Sequence, residues 1–202
     1  MAQLPVIDFA WARDPKGYRL VDSELSTRIV RNGPNRSDIP CRPLSGEEFR
    51  IFARTAYTSN GALEFVQSFG PLTWSGADAT QGDLVALITM NADAMRQLLN
   101  SAAQGREPDA RGGIPRIITL RVTMVWDPTT KSLRWSFSPD TLLDALWVQF
   151  GQAVTRGAQI RSCQHCGAWF EAGIGTGRRA DAKFCTDEHR IAFNSLKRSK
   201  GK

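Results

Sequence analysis

The 202-residue chain reads as an α+β protein in two parts: a helix-rich N-terminal domain over residues 1–157 that contains an antiparallel hairpin, and a small C-terminal module over 158–202. Three observations point there. Several segments repeat apolar residues at the three- and four-residue spacing of a helix face. Two β-branched and aromatic runs flank a short turn-rich stretch, as the strands of a hairpin do. Three of the four cysteines and both histidines crowd into the last 45 residues, a density that suits a metal site better than a fold held by apolar burial alone. With 42% apolar and 23% charged residues, the composition excludes a largely disordered chain, a collagen-like one and a disulfide-dense mini-protein.

From the start of the chain, short apolar runs at Leu4–Phe9 and Tyr18–Val21 suggest strands around Asp14-Pro15-Lys16-Gly17, and Asn32–Pro43 is rich in turn formers. Ser45 and Glu48 stand in S-x-x-E spacing, in which each side chain satisfies a free N–H of the first helical turn, so a helix is predicted over about 46–57. A second, about 61–69, should stop at Gly70-Pro71, where glycine can take a left-handed closing conformation and proline cannot continue the ladder. Residues 83–103 place Leu84, Leu87, Ile88, Met95, Leu98, Leu99 and Ala102 at helical spacing, a stripe expected in the core. A Gly/Pro-rich, charged connection follows over 105–115.

Ile117–Trp126 and Leu133–Phe137 predict an antiparallel hairpin around Asp127–Lys131. Ser138-Pro139-Asp140 then offers a cap, a proline preset for the first turn and an acid near the positive helix end. The helix it opens carries Leu143, Leu146, Trp147, Phe150, Ala153 and Val154 on one face and ends near Gly157. Trp74, Trp126, Trp135 and Trp147 lie in apolar elements and are expected in the core with their N–H groups satisfied locally. Trp169 alone has another task open to it.

No run approaches the eighteen or so apolar residues of a membrane span, and the first residues lack the apolar stretch of a secretion signal. The expectation is a cytoplasmic protein with no membrane partner, and in a reducing compartment closely spaced cysteines more often bind metal than form disulfides. Cys163-Gln-His-Cys166 lets two thiolates reach one ion from a tight turn, with Gly167 supplying backbone freedom. Cys185 and His189, four apart, sit at and just inside a helix start. Three thiolates and one imidazole make a closed tetrahedral set for Zn²⁺. His165, between the first pair, should point outward, and Cys41 is far from the group. Ala168–Ala172 is expected to form a small hairpin, with Gly173–Gly177 as its turn and Ala182–Phe184 as its return. Gly173-Ile-Gly-Thr-Gly177 lacks the Gly-Lys-Ser/Thr of a phosphate loop.

Knuckle, hairpin and ligand-bearing helix are the order of a treble-clef finger. The run C-Q-H-C-G-A-W-F followed by R-R-A-D-A-K-F-C-T-D-E-H-R resembles the C-terminal zinc modules of small bacterial proteins and is similar to the CGNR-type finger of bacterial transcription-regulator-like proteins. In that family a helix-rich domain precedes the finger, and Ala62–Leu72 resembles a segment of it. The fourth ligand in this chain is His189 where that family has cysteine, and Arg190 follows without Gly-Asn. The resemblance implies a DNA-binding role.

Charge is concentrated in the same place. Of the net +6, a surplus of five comes from residues 158–202, with nine basic residues against four acidic ones. On the last helix His189, Ala192, Phe193 and Leu196 share one side, expected to face the metal, while Arg190, Asn194, Lys197 and Arg198 share the adjacent side. With Arg178 and Arg179 they form a candidate surface for phosphates of DNA or RNA. A closed zinc site keeps no position for substrate, and His165, the histidine left over, has no supporting Asn or acid at a recognisable spacing, so no catalytic residues are expected. Two functions stand: a zinc-binding nucleic-acid-binding protein, and a protein-interaction or ligand-sensing module with a purely structural zinc. The oligomeric state is open.

Overall fold

A computed structural model of the chain describes residues 6–7, 9, 11–33, 39–41, 46–73, 82–106 and 118–200. Its elements, in order, are strands β1 (Val6–Ile7), β2 (Trp11–Arg13), β3 (Tyr18–Asp22), β4 (Thr27–Arg31) and β5 (Ile39–Cys41); helices α1 (Glu48–Thr55) and α2 (Ser59–Phe69); strand β6 (Asp83–Leu84) and helix α3 (Val85–Ala103); strands β7 (Leu120–Asp127) and β8 (Ser132–Pro139); helix α4 (Leu142–Thr155); strands β9 (Gln159–Ser162) and β10 (Trp169–Ala172); and helix α5 (Asp187–Lys200). The fold is α+β. The strands form four small sheets, ordered β1-β8-β7, β3-β4-β6, β2-β5 and β10-β9. All pairings are antiparallel except that of β1 with β8, where Val6 lies against Ser136 and Ile7 against Phe137. Among the described residues no helix is long and apolar enough to cross a membrane.

The chain divides into two compact units, Met1–Asp93 with Pro115–Gln149, and Ala94–Ile114 with Phe150–Lys202. In the first, Phe52 meets Phe65 edge-on at 5.1 Å between ring centroids, and Phe65 stacks on Phe69 at 4.5 Å. Ile29, Phe49, Leu72, Ile88, Leu143 and Leu146 are fully buried around them. Gly70 closes α2 with φ +94°, its N–H donating to the Val66 carbonyl at 2.8 Å. A Cβ there would also stand 2.7 Å from the Ala12 carbonyl oxygen, so only glycine fits. Trp147 is buried as expected and gives its indole N–H to Asn91 at 3.0 Å.

Several expected boundaries move. α1 begins at Glu48, not Gly46, and Ser45 lies outside the described residues, as do Trp74, Ile117 and most of 105–115. The Glu48 carboxylate accepts from the N–H groups of Gly46 and Glu47, at 3.0 and 3.1 Å, and from Gln149 Nε2 at 3.2 Å. Gln149 Oε1 in turn accepts the Phe49 N–H. A glutamine about a hundred residues away thus caps the helix, which no local motif reveals. Asp83 and Leu84 form a strand against β4 because the Asp83 carboxylate reaches back to the Leu72 and Thr73 N–H groups. Ser138 and Pro139 extend β8, and Thr141 caps α4, its hydroxyl accepting the Asp144 N–H at 3.1 Å. Val154 is exposed rather than in the apolar face.

Two tryptophans expected in the core lie outside it. Trp126 and Trp135 are 60% and 57% exposed. The hairpin register sets Met124 opposite Trp135 and Trp126 opposite Leu133, and strand alternation puts all four on one uncovered face.

Candidate metal centre

The second unit builds its site on β9 and β10. The expected hairpin between Ala168–Ala172 and Ala182–Phe184 does not form. Instead β10 pairs with β9, which precedes the cysteines, so the knuckle itself is the hairpin turn, and only a single bridge, Gly173 to Arg178, remains of the later one. The Cys163 N–H donates to the Ala168 carbonyl at 2.9 Å and the Gly167 N–H to the Cys163 carbonyl at 2.8 Å. Gly167 takes φ +72°, the left-handed conformation such a turn needs. The Gln164 N–H donates to the Lys183 carbonyl at 3.0 Å, drawing the segment before Cys185 onto the knuckle. Thr186 then caps α5 by accepting the His189 N–H at 3.3 Å, which holds His189 in the first turn. Two of the ligands belong to a small core, in which Cys163, Phe170 and Ala172 are buried against Ala182, Phe184 and Cys185. Phe184 meets Phe193 of α5 at 5.3 Å.

The four expected ligands converge. One ligand atom each from Cys163, Cys166, Cys185 and His189 lies within 4.8 Å of all the others, so the group could hold a metal ion. The Cys166 and Cys185 sulfurs are 3.7 Å apart, close to the edge of about 3.8 Å that a tetrahedron with metal–sulfur bonds of about 2.3 Å requires. His189 presents Nδ1, 3.9 Å from Cys163 Sγ and 2.9 Å from Cys185 Sγ. His165 is exposed and stays out of the group, its ring 4.9 Å from that of His189. The Cys41 side chain lies outside the described residues.

Electrostatics divides the sulfurs. Burial opposes ionisation of Cys163, yet the N–H groups of Cys166, Cys185 and His165 and the Cys166 thiol bring it down to about 6. Burial pushes the Cys185 thiol up to about 12, helped by its contacts with Cys163 and Cys166 and by their charge. Anionic sulfurs this close resist one another, and a shared cation is what allows all three to ionise. The donor set, soft and complete at four, fits a closed structural site.

Basic side chains gather beside it. Arg178, Arg179, Lys183 and Arg190 line an open cleft of about 640 Å³, with Cys185 and Thr186 in its wall. Asp181 pairs with Arg179 and Asp187 with Arg190, each at 3.1 Å and on the surface. The Arg178 guanidinium stands 5.8 Å from the centre of the Phe170 ring, and Lys183 has no ion pair among the described residues. Sequence reasoning misses Lys183, because it falls in a stretch whose pattern suggests a returning strand. Its place two residues before the ligand Cys185 is the signal that could have found it. Asn194, Lys197 and Arg198 are exposed along α5 but do not line the cleft, and Leu196, expected to face the metal, is 54% exposed.

No known protein-family model matches the chain, and neither a curated protein nor a solved structure shows significant similarity to it.

Proposed function

We propose that the C-terminal module is a zinc-stapled nucleic-acid-binding element of a regulator of transcription. Zn²⁺ is the cation its donor set suits, held by Cys163, Cys166, Cys185 and His189. One observation carries the nucleic-acid reading: four basic residues share a single cleft against the ligand-bearing segment, and only two of them are matched by acids. Phosphates meet Arg178, Arg179, Lys183 and Arg190 there, and Lys197 and Arg198 extend the track along α5, where Asn194 suits an adenine edge. The role is also the one implied by the likeness of this stretch to CGNR-type fingers. No catalytic step is assigned.

The test is a salt titration of binding to duplex DNA and to RNA by zinc-loaded protein. Four phosphate contacts give a slope of log K against log salt of about −3 to −4. Lys183→Ala should flatten the slope by about one contact. Absent or salt-insensitive binding removes the proposal.

A second reading, a protein-interaction or ligand-sensing module in which zinc is purely structural, is favoured by how firmly β10 is tied within its unit. Glu171 receives two hydrogen bonds from Arg156, just past the end of α4, at 2.9 and 2.8 Å. Under this reading chelation melts the whole chain in one transition, whereas a nucleic-acid-binding tail unfolds alone.

A further inference from the structure

The β7–β8 hairpin shows its apolar side to solvent. Val122, Met124, Trp126, Leu133 and Trp135 are 50%, 59%, 60%, 62% and 57% exposed, and half-buried Phe137 completes the face. Arg121, Thr123, Arg134 and Ser138 point to the other side, where Ser136 is buried. Soluble monomers rarely display so much contiguous apolar surface.

We propose that this face is the interface of a symmetric homodimer in which two copies of the chain pack hairpin against hairpin. Two observations select a second copy. The first is area. Five side chains of this size, a little over half exposed, offer roughly 600 Å² per copy, or about 1,200 Å² for the pair, which reaches the lower end of specific interfaces.

The second is self-complementarity. The face is three cross-strand rows, Val122 with Phe137, Met124 with Trp135, and Trp126 with Leu133. Each row joins one larger ring to one smaller side chain. A half-turn about an axis parallel to the strands and midway between them lays β7 of one copy over β8 of the other. Every ring then meets a smaller side chain: Phe137 over Val122, Trp135 over Met124, Trp126 over Leu133. Facing sheets pack about 10 Å apart when large and small residues interdigitate in this way. The face carries no charged residue, so a charged peptide would leave its own ions unpaired on it.

The test is sedimentation equilibrium of the zinc-loaded full chain across a wide concentration range. The wild type should run at twice the chain mass and dissociate on dilution, with tryptophan emission moving to the red as Trp126 and Trp135 return to water. Met124→Lys should raise the dissociation constant roughly thirtyfold or more while leaving the thermal midpoint of the dilute chain unchanged, since Met124 is exposed in the single chain. Met124→Trp sets ring against ring and should weaken the dimer, as should Trp135→Met. The double exchange Met124→Trp with Trp135→Met rebuilds the row in reverse and should restore it. A wild type that stays monomeric, a Met124→Lys variant that still dimerises, or a double exchange that restores nothing would each overturn the proposal.

Discussion

Trp169 donates its indole N–H to Oδ1 of Asn100 across 3.2 Å, tying β10 to the end of α3 within the second unit. The ring next to the knuckle is therefore a partly buried anchor, not a platform held out for a base. Asn100→Ala leaves that N–H without its partner and should destabilise the second unit by about 1 kcal/mol. Urea unfolding followed by circular dichroism measures it, and an unchanged midpoint would show that the bond contributes nothing.

Metal removal should act first on α5, because its first turn is tied to the knuckle through His189 and Cys185. One zinc per chain is expected in purified, reduced protein. Cys166→Ser should lower the stoichiometry or affinity sharply. Because the thiols must lose protons to bind, the apparent affinity should rise with pH. Competition with a chromogenic chelator at several pH values checks both points.

Arg156 and Glu171 form a partly sheltered ion pair in the second unit. The Arg156 side chain is 45% accessible and that of Glu171 only 12%, so solvent screens the pair in part. Arg156→Ala leaves the carboxylate with less compensation and should cost about 2 kcal/mol. Arg156→Lys keeps the positive charge and should recover part of the loss. Thermal melts of the three proteins at matched zinc content rank them.

Asp83 should make stability depend on pH. Burial holds its carboxyl above the ordinary 3.8, although the Thr73 hydroxyl and the Leu72 and Thr73 N–H groups all donate to it. A carboxyl whose folded value is raised contributes fully below 3.8, and the contribution declines as pH rises to the folded value, then stays level. The stability difference between wild type and Asp83→Ala should fall over that window. The variant should still be the less stable by about 2 kcal/mol at neutral pH, since two N–H groups lose their acceptor. Urea midpoints of both proteins across the acid range measure the difference, and one that grows with pH would contradict a raised Asp83 carboxyl.

The sequence was most legible where chemistry is local. Four ligands with fixed spacing, a glycine after the knuckle and apolar periods on α2, α3 and α4 can all be read from neighbours in the chain, and the four ligand atoms do meet. What could not be read depends on distant partners. Glu48 looks like one half of a local box but bonds to Gln149, and Asp83 looks like the start of a helix but reaches back to Leu72. The pairing of β10 with β9 escapes a sequence reading because both possible partners flank it closely and neither run has a decisive pattern. Trp126 and Trp135 are expected inside because composition tells how apolar a strand is, not which of its faces is covered.

The short parallel match of Val6 and Ile7 with Ser136 and Phe137 bears on biosynthesis. At ordinary elongation rates of about 5–20 residues per second, the first strand leaves the ribosome on the order of ten seconds before the residues that receive it. The β7–β8 ribbon can zip up by itself only once β8 has emerged, so β1 waits unpaired through that interval and is the piece of the sheet that a nascent-chain protease or chaperone would find unclaimed.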